Sequence, residues 1–156
     1  MGIPPGAEGT RATLILMSKI TRDAKKRLAI RTRALSLVKR NGQKDYPGEV
    51  RDLHRFVRDS IRYVKDIRGV ETLQIPEKTL EFEQGDCDDK SMLLASLLES
   101  IGHPTRFVAV GFTPGQFAHV YVETRIGEKW YPLETTEPWK VGRGPGVVLA
   151  RMVQHN

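Results

Sequence analysis

The stretch Gly85-Asp86-Cys87-Asp88-Asp89-Lys90-Ser91-Met92-Leu93-Leu94-Ala95-Ser96-Leu97-Leu98-Glu99-Ser100-Ile101-Gly102 sets how the rest of the chain must be arranged. Asp86 is a good helix N-cap, and Asp89 stands three positions on, where a carboxylate reaches back as in a capping box. Cys87 is then the first helical residue. Cys87, Ser91, Leu94, Leu98 and Ile101 recur at near-helical spacing until Gly102 and Pro104 end the run. The thiol therefore points along the buried face, towards whatever packs on this helix. A lone helical cysteine is most often a small buried hydrophobe. At a helix N-terminus, however, the thiolate is favoured, and a neighbouring base with a third group to orient it would make the thiol a nucleophile.

A sheet is expected to supply those partners. Residues 105–112 and 118–124 are rich in β-branched and aromatic side chains, with the turn signal Thr113-Pro114-Gly115 between them. In the second run His119, Tyr121 and Glu123 share one face, with Tyr121 and Trp130 read as cleft or core residues. A shorter run, residues 129–134, follows the turn Arg125-Ile126-Gly127-Glu128. If the hairpin closes about Ile126-Gly127, paired positions sum to 253, which sets Glu123 against Trp130 and His119 against Glu134. Opposed Cβ atoms lie roughly 4.5–5.5 Å apart, close enough for a carboxylate to hold an imidazole.

In order along residues 50–137 stand Ile61-Arg62-Tyr63, Gly85-Asp86-Cys87, Gly102-His103-Pro104-Thr105-Arg106, His119-Val120-Tyr121-Val122-Glu123, and Trp130 through Glu134-Thr135-Thr136. This series resembles the transglutaminase-like superfamily, a branch of the papain-like thiol enzymes. The resemblance implies an α+β fold: N-terminal helices, a Cys-bearing helix, and an antiparallel sheet of at least three strands. It implies Cys87 as nucleophile, His119 as general base and acid, and Glu134 as the group orienting His119, with no metal or organic cofactor. The implied activity is acyl transfer or hydrolysis at a protein or peptide amide, and hydrolysis of a peptide, isopeptide or cell-wall amide is expected over crosslinking. Glu134 stands where the family usually has Asp. Asp86, Asp88 and Asp89 crowd the thiol, and their charge opposes the thiolate. The related fold takes one oxyanion hydrogen bond from the nucleophile's backbone N–H and a second from an upstream side chain, for which Gln74 and Gln84 both stand open. Compact relatives with the Gly-Asp-Cys-Asp-Asp-Lys helix start resemble proteins encoded among bacteriophage and prophage morphogenesis genes. That keeps a second reading in play: an assembly protein, possible in a virion, that retains the scaffold with little or no activity.

Composition bounds the rest. At 156 residues the chain is long enough for one proper core. No apolar run approaches the ~20 residues of a membrane span, and Met1-Gly2-Ile3-Pro4-Pro5-Gly6 lacks the features of a secretory signal, so a cytoplasmic location is expected. One cysteine excludes an intramolecular disulfide, and one cysteine with four scattered histidines offers no zinc-ligand spacing.

Charge divides the chain. Residues 1–40 carry ten basic and two acidic residues, +8, and residues 41–156 carry 15 basic and 17 acidic, −2, which together give the net +6. The reading is therefore a basic extension with a helix (1–40), a transglutaminase-like domain (41–140) and a Gly/Pro-rich tail (141–156). Ile20, Ala24, Leu28, Leu35 and Val38 trace one helix over residues 19–40. Residues 1–18 are expected to add little to the core and to be removable. A second helix over 48–65 carries Val50, Leu53, Phe56, Val57 and Ile61 on one side, and residues 66–79 read as a loop. His54 and His103 read as surface or turn residues, and His155 as part of a mobile tail. The basic helix would serve an assembly partner, and the apolar stretch Val147-Val148-Leu149 with Met152 and Val153 would dock on this domain or on a neighbour. An acidic protein surface is expected in preference to nucleic acid, since no aromatic residue interleaves with the charges to stack on bases.

Overall fold

The computed structural model describes residues 6–65 and 73–156, and part of the expected 66–79 loop lies outside them. Among the described residues there are five helices, α1 (Ala7–Ala24), α2 (Leu28–Val38), α3 (Tyr46–Ser60), α4 (Pro76–Phe82) and α5 (Cys87–Ser100). The strands are β1 (Arg62–Tyr63), β2 (Gln84–Gly85), β3 (Thr105–Gly111), β4 (His119–Ile126), β5 (Lys129–Leu133) and β6 (Ala150–His155).

Helix α5 is buried on every side from Asp88 to Leu98, not along one stripe as its spacing suggested. It is wrapped: α1, α2, α3 and α4 pack on it, and β3 and β4 close the remaining side. The sheet is antiparallel with order β5-β4-β3-β6. Phe107, Ala109, Val120, Val122 and Leu133 join the helical core, while Val108, Val110 and Tyr121 form a smaller cluster on the other face, covered by Val148 and Val153.

Four expectations about the ends and connections are corrected. The single helix over 19–40 is two helices that meet at Lys25–Arg27. A continuous helix would carry the stripe of Met17, Thr21 and Ala24 on to Leu28 and Arg31. The break re-phases it, so that Ile30, Ala34 and Val38 are buried and Leu28 is 79% exposed. Residues 1–18 are not dispensable padding, because Leu14 and Met17 are fully buried in the main core. The tail is not mobile: β6 runs along β3 with Val108 opposite Val153 and Arg106 opposite His155, and Met152 enters the core. Residues 76–79, read as loop, begin α4, whose first residue Pro76 has a backbone pre-set for a helix start.

The β4–β5 hairpin is also shifted from the expected register. Glu123 pairs with Pro132 and Arg125 with Trp130, a sum of 255 in place of 253. The turn residues are Gly127 and Glu128, with Gly127 at φ 62°. A hairpin turn with positive φ at its first central residue wants glycine there, and the expected register would have put β-branched Ile126 in that place. Because side chains alternate with a period of two, the shift leaves every residue of β5 on the face first assigned to it.

No helix among the described residues is long and apolar enough to cross a membrane.

Candidate active site

The N-terminus of α5 is built as the sequence suggested. Asp86 Oδ1 accepts from the Asp89 N–H at 2.9 Å, and Asp89 Oδ2 accepts from the Asp86 N–H at 3.2 Å. The other Asp89 oxygen accepts from the Gln74 N–H at 2.8 Å, tying the incoming chain to the helix start. Burial pushes the Asp89 carboxyl up to about 7, opposed by the Gln74 N–H and reinforced by the charge of Asp86. Gly85 is required by space, since a Cβ there would stand 2.6 Å from Cβ of Asp89.

Cys87 follows, half-buried, with Sγ donating to Asp88 Oδ1 at a long 3.7 Å. Burial pushes its thiol far above the ordinary cysteine value, the charges of Asp88 and Asp86 add to this, and the Val120 backbone N–H opposes them. The resting group is therefore the neutral thiol: desolvation and the two carboxylates outweigh the helix terminus. One turn on, Ser91 Oγ donates to the Val120 carbonyl at 3.4 Å. The start of α5 thus seats against Val120, the residue next to His119.

His119 opens β4, and its Nε2 lies 2.7 Å from Glu134 Oε2. Its ring stacks on Tyr121 at 6.2 Å between centroids and 23° between planes, which limits its rotation. In the observed register Glu134, one residue past the last pair, would continue opposite Tyr121 and so lies diagonal to His119. Diagonal positions are roughly 7–8 Å apart. That longer span gives the extra methylene of glutamate its use.

Glu134 is 1% exposed and fully bonded. Its Oε1 accepts from the Thr135 N–H at 3.0 Å, the Thr136 N–H at 3.2 Å and Thr136 Oγ1 at 3.0 Å. Burial alone would push its carboxyl up, but the hydrogen bond and charge of His119, then the Thr136 bonds, hold it below the usual glutamate value. An ionised carboxylate only accepts, so His119 Nε2 carries a hydrogen towards Glu134 and Nδ1 is the ring nitrogen turned away from it.

Further residues border the site that the sequence reading passed over or placed at the surface. His54, read as a surface or turn residue, is 1% exposed, and its Nε2 lies 2.6 Å from the Glu134 carbonyl. Burial lowers its pKa, so the neutral ring donates Nε2–H to that carbonyl. Its position was legible, since 50, 53, 54, 57 and 61 form one continuous stripe of α3. Beyond the other end of α5, His103 is also buried, bonded to Glu49 Oε1 at 2.8 Å. Tyr63 reaches the site through the short parallel pairing of β1 with β2, Tyr63 opposite Gly85. Burial raises its phenol, with Cys87, Asp86 and Asp88 adding. Of the two open oxyanion candidates, Gln74 gives its side-chain amide to Thr79 Oγ1 and the Gln84 carbonyl, both at 2.9 Å, and Gln84 is exposed. Among the described residues no group of three or more His, Cys, Asp or Glu is arranged to hold a metal ion.

Comparison with known proteins agrees with this architecture. Solved structures share the fold at low identity. A candidate protease from Parabacteroides distasonis has a TM-score of 0.66 at 15% identity, over 81% of this chain and 26% of its own. A candidate cysteine protease from Cytophaga hutchinsonii has 0.59 at 15%, over 82% and 50%. Calcium-bound LapG from Legionella pneumophila has 0.53 at 17%, over 78% and 73%. The chain thus spans about a quarter and a half of the first two of these proteins. No curated protein sequence matches it. The profile of the transglutaminase-like superfamily matches residues 33–135, which include α3, α5, β3, β4 and Glu134, and the chain belongs to that superfamily.

Proposed function

We propose that Cys87, His119 and Glu134 act as a triad that hydrolyses or transfers the acyl group of a protein or peptide amide. The observation that carries this reading is the 2.7 Å bond between His119 and a buried, fully bonded Glu134, set beside the residue on which the Cys87 helix turn is seated. Because the resting thiol is neutral, activation belongs to the attack itself. His119 Nδ1 takes the proton as Sγ bonds to the amide carbon, and Glu134 stabilises the imidazolium that forms. The carbonyl oxygen takes up the negative charge beside the Cys87 backbone N–H at the first turn of α5. Collapse breaks the C–N bond, the amine leaves with the proton from Nδ1, and water or a second amine then attacks the thioester with His119 again as base. The first arm of the test is a peptide aldehyde, which mimics the acyl group, followed by intact-mass spectrometry. A single adduct that is lost in Cys87→Ala and His119→Ala is expected. Absence of any adduct, under conditions where the unfolded chain alkylates readily, overturns the reading.

The protonated thiol bonded to Asp88 favours a second reading, an assembly protein of the phage-morphogenesis type that keeps the scaffold and binds an acidic protein through its basic helices. Arg11, Lys19, Arg22, Lys26, Arg31 and Arg33 are all exposed on α1, α2 and the turn between them. Salt-sensitive self-association or partner binding, together with an inert Cys87, would select it.

A further inference from the structure

We propose that His54 is a positioning residue of this site: from the buried face of α3 its Nε2–H holds the main-chain carbonyl of Glu134, and so sets where the Glu134 carboxylate meets His119. The proposal rests on the triad reading and adds to it a side chain that the reaction steps do not use. Glu134 needs such a hold. The β4–β5 ladder ends at the Val122–Leu133 pair, and Glu134 is the first residue past it. Three of the four hydrogen bonds to its carboxylate come from Thr135 and Thr136, so that network travels with the segment and cannot fix it to the rest of the domain. The fourth comes from His119, the ring that is to be oriented. Among the described residues, the 2.6 Å bond from His54 to the Glu134 carbonyl is the one that ties the main chain at this point to the helical layer.

His54 is built as an anchor. It is 1% exposed, and its neighbours on the same face of α3, Val50, Leu53 and Val57, are wholly buried in the core, which leaves the ring little room to swing. A carbonyl oxygen only accepts, so the ring nitrogen that meets it carries a hydrogen in either charge state of the imidazole. The need is mutual. A buried imidazole costs free energy unless its polar atoms are bonded, and a buried peptide oxygen that loses its donor costs as much. Glu134 and Thr135, at 1% and 3% exposed, leave water little access to the oxygen between them. One turn further along α3, Arg58 Nη1 donates to the Trp139 carbonyl at 2.9 Å. Helix α3 thus grips the segment after β5 at two carbonyls, with His54 holding the one that belongs to Glu134. If that grip is released, the Glu134 carboxylate and its threonine bonds can shift together, and the distance to His119 is no longer set.

The test begins on the unaltered protein. In its ring ¹H–¹⁵N spectrum His54 is expected to carry a hydrogen-bonded proton on Nε2, and a ring with no hydrogen on Nε2 overturns the proposal. Variants then ask whether the bond acts on His119. His54→Leu keeps much of the bulk and removes the donor. It is expected to move the His119 Nε2–H resonance upfield, as the bond to Glu134 weakens, and to slow Cys87 alkylation by iodoacetamide at pH 7 by roughly 3- to 10-fold. His54→Gln, whose side-chain N–H stands at the reach of Nε2, should restore both, and His54→Asn, one methylene shorter, should not. In a His119→Ala background His54→Leu should leave the rate unchanged, because its effect travels through that ring. A folded His54→Leu with the wild-type rate and an unmoved His119 resonance assigns His54 to packing and overturns the proposal, as does equal slowing in the His119→Ala background. If His54→Leu does not fold, His54→Asn against His54→Gln makes the same comparison, and equal rates and resonances in the two overturn it. The triad reading fails separately, through a wild-type rate that does not depend on His119; the His119 resonance then still reports whether His54 sets Glu134.

Discussion

Four hydrogen bonds converge on the Glu134 carboxylate, and their loss has a defined pH signature. Its folded pKa lies below the unfolded value, so the stability it contributes is fully present above the ordinary glutamate range and is lost as pH falls through the folded pKa. Glu134→Gln is therefore expected to destabilise the protein by about 1–3 kcal/mol near pH 7, a difference that closes as pH falls through the lowered folded pKa of Glu134. Urea unfolding at a series of pH values measures it, and a difference independent of pH would show that the carboxylate is not ionised in the fold. At the other side of the site, Asp88 and Asp86 hold the thiol protonated after burial has raised it. Asp88→Asn should speed alkylation of Cys87 at pH 8 by about 3- to 30-fold, the effect of removing one close negative charge. The three candidate residues were named from order, residue type and the family resemblance, and the structure brings two of them, His119 and Glu134, into contact. The neutral state of the thiol could only be half anticipated, because the carboxylates are visible in the sequence whereas the burial around Cys87 depends on what packs over the helix.

At the scale of elements, the hairpin decides whether carboxylate and imidazole meet. The sequence reading paired His119 directly with Glu134, but Gly127 takes the first central turn position and moves the pairing by two residues. Alternation kept the face, and the length of glutamate covers the diagonal. Glu134→Asp, the family's usual residue, is accordingly expected to weaken the His119 bond here and to slow His119-dependent alkylation about as much as Glu134→Gln. A wild-type rate in Glu134→Asp would show that the diagonal geometry is unimportant. The capping box separates charge from structure in the same way. Asp86→Ala should cost about 0.5–2 kcal/mol by loss of the cap, while Asp86→Asn, an equally good cap, should leave thermal stability near that of the wild type. Helix caps and turn glycines were readable because they act locally. The break between α1 and α2 was not, since no glycine or proline marks it and only the demand to bury Ile30 in place of Arg31 explains it.

Across the whole molecule the basic N-terminal segment, read as an extension, and the apolar C-terminal stretch, expected on this domain or on a neighbour, are both part of the domain. Helix α1 packs on α5 and β6, and β6 covers one edge of the sheet. Leu14→Ala should therefore cost about 2–5 kcal/mol in denaturant unfolding, and removal of residues 150–156 should expose the β3 edge and drive aggregation. A truncated chain that stays monomeric with an unchanged unfolding midpoint would return those residues to the status of a tail. Charge segregation misled the reading here: the exposed faces of α1 and α2 carry the basic residues, and their narrow buried stripes are easily overlooked beside them. The proposed function rests on one juxtaposition, that of the Cys87 thiol with the imidazole that Glu134 orients. The most direct measurement of it is the rate of Cys87 alkylation by iodoacetamide at pH 7 in the wild type and in folded His119→Ala. If His119 draws the proton from the thiol, the wild type reacts at least about 10-fold faster, in keeping with the usual worth of a positioned base. Equal rates would contradict it.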